Sequence, residues 1–154
     1  LSQLTSASIT LHIEALVRQG ALVLFEPELD ADQSHCRCVW LHPQVSRWIN
    51  KAGLFIPGED YYANVREFLK GFVIGHDFDD DQMLRPLTPI EEGVWEFRVQ
   101  FEPKARIFGG FLEPCVFFAT NYKDRNFLDL RGFAGDRQRC RAIWKGLFPD
   151  HPRM

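Results

Sequence analysis

Val94-Trp95-Glu96-Phe97-Arg98-Val99, Ala105-Arg106-Ile107-Phe108-Gly109-Gly110-Phe111 and Cys115-Val116-Phe117-Phe118-Ala119-Thr120 follow one another with short breaks, and the third stretch runs on into Asn121-Tyr122-Lys123-Asp124-Arg125. Apolar and polar residues alternate, and aromatic and β-branched side chains dominate, so the spacing predicts three strands in tight succession. Joined by short connections, they form an antiparallel meander. Arg98 and Arg106 lie on its first two strands, and Lys123 and Arg125 lie at the exit of the third. Cations on a stiff sheet are suited to gripping phosphate groups.

Upstream of the meander, Asp60 can cap a helix that places Tyr61, Val65, Phe68, Leu69 and Phe72 on one face, ending near Gly71 to Gly75. Asp77-Phe78-Asp79-Asp80-Asp81 has the carboxylate density of a calcium loop, yet it lacks the glycine and the distant glutamate of an EF-hand and reads as a solvated loop. Pro86 and Pro89 extend the connection to the first strand. Beyond Arg125 the chain passes Phe127, Leu128 and Leu130 to a last helix at about 135–147, which carries Arg137, Arg139, Arg141 and Lys145. Pro149 and Pro152 end it.

The first third reads as a helix, a hairpin and a second helix. Ile9, Leu11, Ile13, Leu16 and Val17 have helical spacing between Ser8 and Gln19, with Gly20 as the stop. Ala21 to Phe25 and Cys36 to Leu41 are strand-like, and Pro43 opens a short helix to about Asn50. The turn-rich stretch Gly53 to Gly58 is the candidate boundary. The expected class is α+β, with a segment over 1–55 and a domain over 56–154. Cys36 to Asn50 fits equally as the first strand and helix of the larger fold, which would then be one domain. There is no internal repeat.

A chain of 154 residues that is 45% hydrophobic and 14% aromatic can bury a substantial core. No run approaches the roughly 18 to 20 apolar residues that span a bilayer, and no signal segment opens the chain, so a soluble, cytoplasmic protein is expected. The first residue is Leu rather than Met, which leaves the natural N-terminus open. The net charge of −3 is uneven: residues 94–154 hold eleven Lys and Arg against seven Asp and Glu, whereas 56–93 hold three against nine. In a reducing compartment Cys36, Cys38, Cys115 and Cys140 should be free and buried. His35, Cys36, Cys38 and His42 resemble a metal cluster, but alternate residues of a strand stand about 7 Å apart, too far for three to close on one zinc. No metal is expected.

Leu84-Arg85-Pro86-Leu87 leading into Gly93-Val94-Trp95-Glu96-Phe97-Arg98-Val99, then Ala105-Arg106-Ile107-Phe108 and a strand ending in Lys123-Asp124-Arg125, resembles the RelE/ParE toxin superfamily and its phage-derived relatives. That resemblance spans about residues 59–147. It implies a small sheet flanked by helices, a cognate antitoxin, no cofactor, and either ribosome-dependent cleavage of mRNA or poisoning of gyrase. The stretch from Ser8-Ile9-Thr10-Leu11-His12-Ile13 through Arg18 to Val23 resembles the recognition helix of a MarR-type winged-helix domain, and Asp30-Ala31-Asp32 through Arg37 to Pro43 resembles its wing. This second resemblance implies DNA contacts by Ser8, Thr10, His12, Arg18 and Arg37, in a transcriptional regulator.

Metal-free RNA cleavage needs an activated 2′-hydroxyl, a stabilised phosphorane and a protonated leaving oxygen. Arg106 is the candidate for charge stabilisation, Arg98 and Arg125 for clamping the backbone, and Lys123 for an added point charge. Proton transfer is poorly provided for, with Tyr122 the nearest candidate and Asp124 another. Each arginine could equally pair with a cross-strand acid. The pI of about 6.0 argues for weak or lost nuclease activity, since phosphate neutralisation supplies much of the affinity for RNA. A non-catalytic, phage-derived interaction domain is the third reading.

Overall fold

A computed structural model describes residues 6–51, 60–78 and 82–154 of the chain. The proposed boundary at Gly53 to Gly58 and the acidic residues 79–81 lie outside the described residues. The elements in order are α1 (Ser6–Arg18), β1 (Val23–Leu24), β2 (Cys38–Leu41), α2 (Pro43–Ile49), α3 (Tyr61–Val73), β3 (Leu84–Pro86), β4 (Trp95–Val99), β5 (Ala105–Glu113), β6 (Val116–Asp124), α4 (Arg125–Arg131) and α5 (Ala134–Leu147). The class is α+β.

Local chemistry accounts for the helix ends. The Asp60 carboxylate accepts from the backbone N–H groups of Tyr62 and Ala63 at 3.0 and 3.1 Å and so caps α3. Pro43 opens α2, where its missing N–H costs nothing. At the end of α1, Gly20 takes a φ of 73°, and the N–H groups of Gly20 and Ala21 donate back to Val17 and Leu16. Because Ala21 and Leu22 are used to pack against Leu16, the first strand is shorter than the apolar run predicts.

The strands form one six-stranded sheet in the order β1-β2-β6-β5-β4-β3. The expected meander is present, β4 and β5 pairing antiparallel and β5 and β6 likewise. The sheet as a whole is mixed rather than antiparallel, because β2 runs parallel to β6 with Cys38 opposite Val116 and Leu41 opposite Ala119. A parallel partner needs a long crossover, and everything between β2 and β6 provides it. The ladder joins the first third of the chain to the meander in a single sheet. β3 was not predicted; three residues ending in proline carry too little periodicity to be read.

Alternation along the strands feeds two faces. Phe97, Val99, Ala105, Ile107, Phe117 and Ala119 point to the side covered by α2 and α3. Phe108 and Phe118 point to the other side, where Leu16 of α1, Leu128 of α4, and Cys140 and Trp144 of α5 close over them. Phe97 is the centre of the first layer, with its ring 4.7 Å from Phe117, 5.1 Å from Phe72 and 5.8 Å from Phe78.

All four cysteines are free, but only Cys140 is buried. This corrects the expectation for the other three: Cys36 lies just before β2 and Cys38 at its start, and Cys115 lies in the β5–β6 turn, where no layer covers them. Burial pushes the Cys140 thiol up to about 11 against a weaker opposing effect of Thr120. At pH 8 three thiols of the folded protein should therefore react quickly with a disulfide reagent and the fourth only after denaturation; four fast thiols would contradict the packing of α5. Phe97→Ala should cost about 3 to 5 kcal/mol in denaturant melts.

Candidate nucleic-acid interface

Arg98 on β4 lies opposite Arg106 on β5, which lies opposite Lys123 on β6. Directly opposed residues share a face, so the three form one row across the meander, on the side of the sheet that α4 and α5 cover. Glu96 shares that face two residues before Arg98, and Arg85 of β3 stands opposite it. Arg125 follows at the start of α4. The structure thus brings together four of the five meander residues singled out from the sequence, and adds Arg85.

Arg85, Arg98 and Arg106 converge on a carboxylate. Glu96 is completely buried. Arg85 Nε donates to its Oε1 at 2.9 Å, Arg98 Nε lies 3.7 Å from the same oxygen, and Arg106 Nε lies 3.7 Å from Oε2. Arg106 is only 1% exposed, and its Nη1 donates to the Ala105 carbonyl at 2.9 Å. Burial pulls its pKa down to about 10; Glu96 opposes that shift, and Arg98, Arg125 and Arg85 add to it. The group therefore remains protonated at neutral pH. The guanidinium is enclosed and turned toward Glu96 rather than toward solvent.

The remaining candidates are also engaged. Arg125 Nη2 pairs with Asp129 at 3.0 Å, one turn along α4, and its guanidinium lies 5.3 Å from the Phe133 ring centre. Lys123 Nζ sits 4.6 Å from the centre of the Phe127 ring. Tyr122, adjacent to Lys123 on a strand, points to the opposite face, where it stacks on Trp48 with ring centres 4.4 Å apart and planes 12° apart. It cannot exchange protons with anything on the arginine row. The Asp124 carboxylate accepts from the Phe127 N–H at 2.8 Å and caps α4.

The residues matched to a DNA-reading helix and wing are tied to different layers. His12 Nε2 lies 2.6 Å from the Leu147 carbonyl oxygen, and its ring meets Phe148 edge-on at 5.6 Å, so it anchors α1 to the end of α5. Arg37 Nη1 donates to the carbonyls of His76 and Phe72 at 2.9 and 3.4 Å, with its guanidinium over the Phe72 ring, so it anchors the approach to β2 on the end of α3. α3 and α5 cover opposite faces of the sheet. Thr10 and Arg18 are exposed and Ser8 is half-buried.

The role of Glu96 was missed because an acidic residue between Trp95 and Phe97 reads as the solvent side of an amphipathic strand. The available signal was the number of arginines on neighbouring strands at the same register. Replacing a buried carboxylate that holds three guanidiniums leaves like charges enclosed together. Glu96→Gln should lower stability by about 3 to 5 kcal/mol, and adding Arg106→Met should recover a measurable part of the loss; strictly additive melts would show that the two side chains are not coupled. Comparison with protein-family models, with curated proteins and with solved structures finds no match to this chain.

Proposed function

We propose that this chain is a RelE/ParE-like toxin module that binds a polynucleotide through the charged face of its meander and does not cleave it. The observation that carries the reading is the pairing of Arg106 with the fully buried Glu96: it turns the best candidate for stabilising a phosphorane into part of the scaffold. Tyr122, the proton-transfer candidate, lies on the far face of the sheet, away from the row. Arg85, 40% exposed at its side chain, and Lys123 at the edge remain as phosphate contacts of a point-charge and fork type. The target in this proposal is mRNA, alone or on the ribosome, and the partner is an antitoxin-like protein that covers the same face. Phe127 and Leu130, both exposed on α4, are the apolar surface next to the row for such a partner.

Two measurements test it. Single-stranded RNA should bind with an affinity that falls steeply with salt, and Arg85→Gln with Lys123→Gln should weaken binding at least tenfold and flatten the salt dependence by about two charges. The same RNA, incubated with the protein alone or with translating ribosomes, should remain intact. Cleavage that disappears with Arg106→Ala would overturn the proposal in favour of an active nuclease, and salt-independent or absent binding would overturn it altogether.

A further inference from the structure

The other side of β6 carries a second feature, which does not rest on the arginine row. The β2–β6 ladder ends with Leu41 opposite Ala119, and α2 then turns away, so among the described residues no strand flanks 120–124 on that side. A cleft of about 690 Å³ opens there between α2, the start of α3 and α5, within the usual size range for small-molecule sites. Its aromatic side is built from Trp48 and Tyr122, stacked on each other, with Tyr62 edge-on to Trp48 at 6.1 Å. Trp48 is nearly buried whereas Tyr122 is half-buried, so the accessible part of the stack is Tyr122.

Among the described residues the cleft is also lined by Arg47, Lys51, Lys123 and Arg139, with Asp124 as its one carboxylate. Among the described residues none of these four cations is in an ion pair, whereas seven arginines elsewhere are. Arg139 is instead aligned by Gln44, whose Oε1 accepts from Nη2 at 2.6 Å. His42, at the head of α2, is held below the usual imidazole range by burial first, then by Arg139 and Arg47. Uncompensated cations beside an aromatic ring match a ligand that is anionic at one end and flat and aromatic at the other.

We propose that this cleft binds a nucleoside phosphate, with the base against Tyr122 and the phosphate held by Arg47, Lys51 and Arg139. Two sources share that chemistry: a free mononucleotide, or the phosphorylated end of a strand. Titration calorimetry of the full chain with AMP, GMP and UMP, and with a short RNA carrying either a 5′-phosphate or a 5′-hydroxyl, separates them. Saturable binding of a mononucleotide, at least tenfold tighter than that of the nucleoside or of inorganic phosphate, supports the free ligand. Binding confined to the 5′-phosphorylated RNA supports the strand end. In either case Arg47→Gln/Lys51→Gln/Arg139→Gln, all at exposed positions, should weaken binding at least tenfold with an unchanged melting temperature. Tyr122→Leu should do the same for the nucleotide and not for inorganic phosphate. Arg85→Gln leaves this binding intact, so failure of the polynucleotide reading is distinguishable. Affinity within twofold of the parent in the triple variant, or equal affinity for inorganic phosphate and nucleotide, overturns the proposal.

Discussion

β6 is the strand that the structure depends on. It is bonded to β5 on one edge along its length and to β2 on the other as far as Ala119, and its consecutive residues Phe117 and Phe118, both completely buried, anchor the two opposite layers. A strand in this position cannot shift by one residue without exchanging the contents of both cores. One of the two irregularities in its pairing with β5 is locally determined. The register slips between Phe108 and Gly109, where a Cβ on residue 109 would lie 2.0 Å from the Phe118 carbonyl oxygen; glycine permits that approach. The slip turns Thr120 and Asn121 to the same side, so that the Thr120 hydroxyl donates to Asn121 Oδ1 at 2.6 Å and the Asn121 amide reaches Asp136 at 3.2 Å. The start of α5 is thereby tied to the sheet.

The buried Glu96 cluster acts on a different property. Taking a carboxylate and guanidiniums out of water is costly, and their attraction only approximately offsets that cost. Net stability is therefore a poor explanation for the cluster, whereas geometry is a better one. A carboxylate in reach of β3, β4 and β5 at once is ion-paired with all three in one register of the strands, and any slip leaves charge enclosed without a partner. The same pairing decides what the face can do chemically, because an arginine committed to holding strands together is not available to follow charge as it develops on a reacting phosphate.

The two sides of β6 differ in how their cations are used. On the arginine row, Arg85, Arg98 and Arg106 share Glu96, and Arg125 has Asp129. In the cleft the cations face an aromatic surface with no ion pair among the described residues. Binding capacity follows the second pattern more readily than the first, since a ligand anion there replaces water rather than an existing protein partner.

The elements legible from the residues alone are those that depend on near neighbours along the chain. The alternation in Trp95 to Val99, the Asp60 cap, Pro43 at a first turn and Gly20 after a last one all act within a few residues, and each appears where its chemistry places it. The sequence also determined that Arg98, Arg106 and Lys123 would lie on a meander. Only the tertiary structure decided that β2 pairs parallel with β6, that Glu96 is the buried hub of that row, and that Tyr122 turns away to meet Trp48. In each of these the partner is selected by burial and strand register rather than by any local propensity.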